Sequence, residues 1–136
     1  GKTDLGVNVR ILHAHKLVEI VMDGPVVLKD MEEHFDKIVL ENAMGYAKLV
    51  DCTRAQPVYD EHDVLMMGAR LSAYAATMDS GPLAVFGSSH EVNVAFARFV
   101  NMSPSKRQAG LFKTEGKARA WLAAQLRAAA NAGSSS

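Results

Sequence analysis

The stretch at residues 48–64 reads KLVDCTRAQPVYDEHDV, and it passes from an apolar segment through an irregular turn into the start of a helix. Residues 46–52 have the apolar character of a buried strand. Pro57 excludes much helix before it, and Asp60 or Tyr59 can cap the helix that follows. Because α/β folds place ligands where strands end and helices begin, we expect the working site of the protein in this stretch.

Composition limits the class of protein and its partners. A chain of 136 residues fits one domain, and its 15 basic and 15 acidic residues give no net charge that would favour nucleic acid or an anionic membrane. Cys52 is the single cysteine, so no internal disulfide can form, and no apolar run is long enough to span a bilayer. We therefore expect a cytoplasmic protein with no nucleic-acid partner, no membrane span and no cofactor.

The first part of the chain has the pattern of two paired strands. Residues 7–14 alternate between apolar and polar positions, with His13 continuing the apolar face. Residues 17–22 are mostly apolar, and the short link between the two segments favours antiparallel pairing. Asp-Gly-Pro at residues 23–25 is expected to end the second strand, since all three residue types favour turns.

Four helices follow from apolar residues at helical spacing and from residues that can cap free amides. Asp30 and Ser88 each precede a glutamate by three residues, which is the spacing of a capping box. The predicted N-terminal caps are, in chain order, Asp30, Asp60 or Tyr59, Ser88 and Thr114. Residues 53–59 are predicted to be a loop, and the helix after it, at residues 64–78, has small residues on its flanks. Such flanks allow close approach of a second subunit, so we expect a homo-oligomer.

The order of these elements predicts the fold. Two strands are followed by helices and strands that alternate, with the later strands at residues 46–52, 83–86 and 107–112. This ββαβαβαβα order implies crossovers to parallel neighbours. We predict a single α/β domain over residues 7–127, with a mixed, mostly parallel five-stranded sheet and packed helices. Residues 1–6 and 128–136 are expected to be flexible termini.

Several positions in this pattern resemble the SpoIIAA-like proteins. Two of them are strands: Leu49-Val50-Asp51, with the loop and helix after it, and Ala84-Val85-Phe86. The third is the C-terminal segment, in which Phe112 and Thr114 precede Ala118 and Trp121-Leu122. The resemblance covers roughly residues 7–126. It implies a fold related to the STAS domains, which occur in sulfate transporters and anti-sigma-factor antagonists, and similar to the lipid-binding CRAL-TRIO domains.

The resemblance implies a regulatory or protein-interaction module that is not an enzyme. In the antagonists, the turn after the third strand carries a serine that can be phosphorylated, and this turn lies at the surface that binds the partner kinase. That turn corresponds to YDEH at residues 59–62, which contains no serine, so an acidic surface replaces the phosphorylation switch. The sequence does not identify the protein partner. The predicted partner-binding residues are Thr53, Tyr59, Asp60, Glu61 and His62.

The CRAL-TRIO similarity implies an alternative function, a small domain that binds a lipid or another apolar molecule between helices and sheet. The residues that would line such a site are Met67, Leu71, Tyr74, Phe96 and Phe99. An enzyme is not expected, because no nucleophile, base and orienting group can be placed together.

Other side chains that could bind a metal or take part in a reaction have simpler structural interpretations. His13 and His15 have a spacing that suits two metal ligands, but solvent exposure near a strand end is the simpler expectation. The acidic cluster at residues 60–63 could hold a cation or act in acid–base chemistry, although a first helical turn collects acidic residues for capping alone. Cys52 could be a nucleophile, but an inert core cysteine is the simpler expectation for a lone cysteine in an apolar strand.

Overall fold

The computed structural model describes residues 6–58, 60–77, 80–102 and 108–134. They form one α/β domain in the predicted order, with a five-stranded, mostly parallel mixed sheet and four α-helices. The strands are β1 (Gly6–Leu12), β2 (Leu17–Val26), β3 (Ala47–Pro57), β4 (Leu83–Phe86) and β5 (Ala109–Phe112). The helices are α1 (Leu28–Leu40), α2 (Glu61–Ala75), α3 (His90–Met102) and α4 (Glu115–Ser134).

The strands lie in the sheet in chain order, from β1 at one edge to β5 at the other. β1 is antiparallel to β2, as predicted, and every later pair is parallel. A parallel pair needs a crossover, and α1, α2 and α3 provide the three crossovers. The four strands β2 to β5 therefore run in the same direction, and their carboxyl ends lie on the same side of the sheet.

The link between β1 and β2 is a 3₁₀ turn at His13–His15. The prediction that His13 continues the first strand was wrong, because β1 ends at Leu12. Lys16 has a left-handed backbone with φ of 50°, and its amide donates to the carbonyl oxygen of His13 at 3.2 Å. This tight closure reverses the chain before the alternating pattern can continue.

The central strands β2 and β3 are longer than predicted. Residues 23–25 do not end β2, and residues 53–57, which were predicted to be loop, belong to β3. The two extensions pair with each other, from Asp23 opposite Arg54 to Val26 opposite Pro57. Each segment supplies the backbone partners that the other needs, so turn-forming residue types do not stop either strand.

Two of the four predicted helix caps are confirmed. The Asp60 side chain accepts from the Asp63 amide at 2.9 Å, while the Asp63 side chain accepts from the Asp60 amide at 3.1 Å. This reciprocal pair is a capping box at the start of α2. At the start of α4, the Thr114 hydroxyl accepts from the Lys117 amide at 3.2 Å.

The other two caps were assigned to the wrong residues. α1 begins at Leu28 with Val27 at the cap position and no capping side chain, so Asp30 lies inside the first turn. At α3, the hydroxyl of Ser89 and not Ser88 accepts from the amide three positions later, at 3.1 Å. Asp30 and Ser88 therefore both have the capping-box spacing to a glutamate, but neither residue is the N-terminal cap of its helix.

The last helix continues beyond the predicted domain boundary at residue 127. α4 runs to Ser134, so residues 128–134 are helical, whereas a flexible terminus was predicted. Residues 1–5, 135–136 and the start of the predicted fifth strand at Arg107 lie outside the described residues. No helix in the described ranges, α4 included, is long and apolar enough to cross a membrane.

Helices cover both faces of the sheet. On one face, Val18, Val50 and Val85 belong to a core cluster with side chains of α1 and α3, such as Ile38 and Val92. On the other face, a smaller cluster joins β3 and β4 to α4, and its buried members are Ala47, Leu49, Ala84, Phe86, Ala118 and Leu122. The two clusters follow from strand alternation, because neighbouring residues of β3 and β4 point to opposite faces.

Candidate functional site

An apolar cavity of about 120 Å³ lies between the sheet and the helices α1, α2 and α3. Its floor consists of side chains that β2, β3 and β4 direct to one face, among them Ile20, Val50 and Val85. Its walls come from the helices and include Phe35 of α1 and Val64 of α2. The cavity therefore occupies the layer where a continuous core would be expected.

A bulge in β3 determines which of its side chains face the cavity. The Asp51 carboxylate accepts from the Thr53 amide at 2.9 Å and from the Thr53 hydroxyl at 2.6 Å. From Asp51 to its next paired residue β3 advances three positions, while β2 advances two. The extra residue shifts the alternation, so that Ala55 and Pro57 line the cavity together with Cys52.

The residues predicted for an apolar ligand are only partly brought together. Met67 of α2 and Phe96 and Phe99 of α3 line the cavity. Tyr74 does not line it, and the side chain of Leu71 lies outside the described part of the structure. The lining therefore includes three of the predicted residues and shifts the expected site toward the start of α2.

Tyr74 instead takes part in a polar cluster that joins α1 to α2. Its hydroxyl donates to the Asp36 carboxylate at 2.8 Å, and Arg70 forms ion pairs with Asp36 and, at 3.3 Å, with Glu32. The hydrogen bond from Tyr74, followed by that from Arg70, holds the pKa of Asp36 below its ordinary value. These contacts fix the relative position of two helices that bound the cavity.

Lys48 is a cavity residue that the sequence reasoning missed. Its side chain is only 2% exposed, and among the described residues it is the one charged side chain in the buried class. The ammonium group donates to the carbonyl oxygens of Met44 at 2.6 Å and Tyr46 at 3.0 Å. Because a lysine near the start of a strand normally extends into water, nothing in the sequence pattern indicated this burial.

Cys52 lies in the floor of the cavity and has low reactivity. Its side chain is buried, and this burial, with a smaller contribution from the charge of Asp51, raises its pKa to about 12. The thiol donates to the sulfur atom of Met22 at 3.9 Å. At neutral pH the group is protonated, so the geometry favours the inert core cysteine over the nucleophile.

The residues predicted for a protein partner lie on the surface but not at one place. Thr53, Asp60, Glu61 and His62 are exposed, and Tyr59 lies outside the described residues. Asp60, Glu61 and His62 form the start of α2, whereas Thr53 belongs to the bulge of β3. The remaining four residues of β3 separate the bulge from the strand end by about 13 Å.

Three exposed apolar side chains flank this acidic helix start. Val58 is 55% exposed, Leu65 57% and Met66 53%, and we call these residues the apolar flank. The helix expected to contact a second subunit uses Val64 and Met67 to line the cavity. Leu65 and Met66 of the apolar flank lie on the other, exposed side of α2.

The two histidines with metal-ligand spacing, His13 and His15, lie in the 3₁₀ turn. The two ring nitrogens of His13 lie 2.7 Å from the Tyr46 hydroxyl and 3.1 Å from the Glu41 carboxylate, while His15 is exposed. Within the described ranges, no three His, Cys, Asp or Glu side chains are grouped so that they could hold a metal ion. His13 connects the 3₁₀ turn to the segment after α1.

A second, more open cleft of about 240 Å³ lies between the end of β3 and the first half of α3. Pro57 and Ala95 line both this cleft and the apolar cavity. We call these two residues the shared wall. The cleft had no counterpart in the sequence reasoning, because it depends on β3 extending to Pro57.

No family model and no curated protein matches the chain. The resemblance to SpoIIAA-like proteins and to the STAS domains therefore stays a prediction. The α/β fold rests on the sheet and helices described above. One such fold supports many activities, so the function of the protein depends on its site and not on its fold.

Proposed function

We propose that this protein is a binding domain that holds a compact apolar molecule in the cavity between its sheet and helices α1 to α3. The observation that carries the proposal is the cavity itself, with about 120 Å³ lined by mainly apolar side chains. An engineered apolar cavity of about 150 Å³ in another protein stays dry and binds benzene. A ligand of similar bulk suits the cavity described here.

The loose packing around an empty apolar cavity supports this proposal. Protein interiors are normally close-packed, and side chains that line an unfilled space lack contacts that they would otherwise make. Filling the void with an apolar ligand would restore the lost contacts and remove the ligand from water. The free energy recovered would contribute directly to affinity.

The polar groups of the cavity support binding without reaction. The Cys52 thiol is protonated at neutral pH, and the Lys48 ammonium is hydrogen bonded to two backbone carbonyl oxygens. A protonated thiol and a carbonyl-bound ammonium are both poor nucleophiles. We therefore propose a protein that is not an enzyme.

A blocking variant tests the proposal. Ala95→Leu adds bulk at the shared wall, whereas Ala97→Leu makes the same change on the exposed side of α3. Thermal unfolding would be followed with a series of neutral ligands, from benzene to 1-octanol. At 100 times its dissociation constant, a ligand that binds only the folded state should stabilise the protein by about 2.7 kcal/mol.

We expect wild type and Ala97→Leu to be stabilised by the same ligands, and Ala95→Leu to lose the effect. The unfolding temperatures without ligand show whether both variants are folded. Stabilisation of Ala95→Leu equal to that of Ala97→Leu would contradict binding in the cavity. So would the absence of any ligand-dependent shift in wild type.

Protein interaction through the start of α2 is a second candidate function. Its support is the apolar flank, defined above as Val58, Leu65 and Met66, each more than half exposed beside the acidic turn. Exposed apolar residues rimmed by charge are typical of protein contact surfaces. The proposed SpoIIAA-like relationship would favour the same surface.

Charge reversal away from the capping box tests this second candidate. Asp60 must be kept, because it caps α2, whereas the side chains of Glu61 and His62 are exposed and are not part of the capping box. The double variant Glu61→Lys, His62→Glu should lose a partner that wild type recovers from cell extract. Glu33→Lys, an exposed change on α1, is the control. Equal recovery by the double variant would count against this surface.

A further inference from the structure

The apolar cavity and the open cleft lie side by side. The cavity is lined mainly by apolar side chains, and the cleft beside it opens toward solvent near the carboxyl end of β3. Pro57 and Ala95 line both spaces, so the two meet at the shared wall. A molecule that reaches past the shared wall with an apolar tail in the cavity would place its other end in the cleft.

The cleft contains the charges that this other end would meet. α3 contributes His90, Glu91 and Arg98 to the lining, all of them exposed. Glu91 lies in the first turn of α3, where its negative charge is favourable beside the positive end of the helix dipole. Among the described residues, none forms an ion pair or a hydrogen bond with the Arg98 guanidinium. Arg98 therefore offers a positive charge in the cleft that no side chain in the described ranges pairs with.

Building on the proposed binding function, we infer that the ligand is an anionic amphiphile whose tail fills the cavity and whose head group pairs with Arg98 in the cleft. The guanidinium presents a planar set of donors that matches the two oxygen atoms of a carboxylate or phosphate. His90 adds a ring N–H donor in either tautomer. The cavity is slightly smaller than the benzene-binding one, so it suits about five or six carbons of a tail, and the rest of a longer tail would lie along the shared wall.

Four ligands with the same eight-carbon tail separate the head-group chemistries: octanoate, octyl phosphate, 1-octanol and octylamine. Binding of each to the full chain would be measured by titration calorimetry at low and high salt. We expect octanoate or octyl phosphate to bind about fivefold more tightly than 1-octanol, and octylamine to bind more weakly than both anions. The advantage of the anions should shrink with salt, because the cleft is open to solvent.

Two exposed residues of α3 provide the variant and its matched control. Arg98→Gln should remove the preference for the anions, about fivefold, while the affinity for 1-octanol stays the same. Glu91→Gln, which removes the opposite charge from the same cleft, should leave anion binding unchanged or tighter. The comparison of octanoate with octyl phosphate then shows which anionic head group is favoured.

The inference is overturned if Arg98→Gln leaves octanoate and octyl phosphate affinities unchanged, or weakens 1-octanol to the same degree. Tighter binding of octylamine than of both anions would also overturn it, because Glu91 would then select the head group. In either case binding of 1-octanol, blocked by Ala95→Leu, would leave the proposed function standing. If none of the four ligands binds wild type, the proposed function and this inference both fail.

Discussion

Gly81 is a residue whose backbone, and not its side chain, supports the cavity. A Cβ atom at this position would lie 2.3 Å from the carbonyl oxygen of Tyr46, so only glycine allows the approach. The Gly81 amide donates to the carbonyl oxygen of Met44 at 3.1 Å. Lys48 donates to the carbonyl oxygens of these same two turn residues, and the turn is therefore held from two sides.

We predict that Gly81→Ala lowers the free energy of unfolding by about 1–3 kcal/mol, because the turn would have to move away from the new methyl group. Gly45→Ala is the control, since a Cβ there meets nothing within 4 Å. It should be neutral or slightly stabilising through the unfolded state. Urea denaturation of both variants measures the difference, and an equal loss in the two would contradict the close approach.

At the scale of single residues, the apolar side chains that line the cavity were easier to predict from the sequence than the charged side chains that line the cavity and the cleft. Met67, Phe96 and Phe99 were predicted because helical spacing reports which face of a helix is buried. Lys48 and Arg98 gave no such signal. Whether a lysine is buried or an arginine lacks a partner depends on side chains that are distant in the chain.

At the scale of elements, the order of the helices and strands could be predicted from the sequence, but their boundaries could not. The ββαβαβαβα order followed from hydrophobic periodicity, which is local information. The extension of β2 through Asp23, Gly24 and Pro25 depends on pairing with β3, about thirty residues further along the chain. The cleft beside Pro57 exists because of that extension, so it could not be predicted from local patterns either.

The capping box of α2 makes a prediction about pH. The hydrogen bond from the Asp63 amide is the main cause that lowers the pKa of Asp60 below its ordinary value. A carboxylate with a lowered pKa in the folded state stabilises the protein above the unfolded-state pKa of about 3.9, and this stabilisation is lost as pH falls through the folded value. Asp60→Ala should therefore lower the unfolding temperature more at pH 7 than at pH 3.

Asp60→Asn is the matched variant for this test, because its amide oxygen can still accept the hydrogen bond without carrying a charge. Its unfolding temperature at pH 7 should fall between those of wild type and Asp60→Ala. Thermal unfolding by circular dichroism at the two pH values measures all three proteins. If the unfolding temperatures of wild type and Asp60→Ala differ by the same amount at pH 3 and at pH 7, the role of the charged cap is contradicted.

At the scale of the whole molecule, we predict self-association through the apolar flank. Leu65 and Met66 are 57% and 53% exposed, and 15 basic residues balance 15 acidic ones, so no net charge opposes contact. Light scattering should give a mass above that of one chain for wild type and the mass of one chain for Leu65→Glu, Met66→Glu. Leu40→Glu, at an 85% exposed position on α1, should behave as wild type. A wild-type mass of one chain at every concentration would rule out this contact.

Binding of an apolar ligand between the sheet and the helices is tested most directly by methyl NMR during titration with 1-octanol. Binding there should give saturable shifts at methyl groups that line the cavity, such as those of Met67, Val85 and Val92. The methyl groups of Val21 and Leu126, which are 42% and 46% exposed and do not line the cavity, should stay unchanged. Shifts that appear at Val21 and Leu126 as strongly as at the lining residues, or no saturable shifts at all, would contradict it.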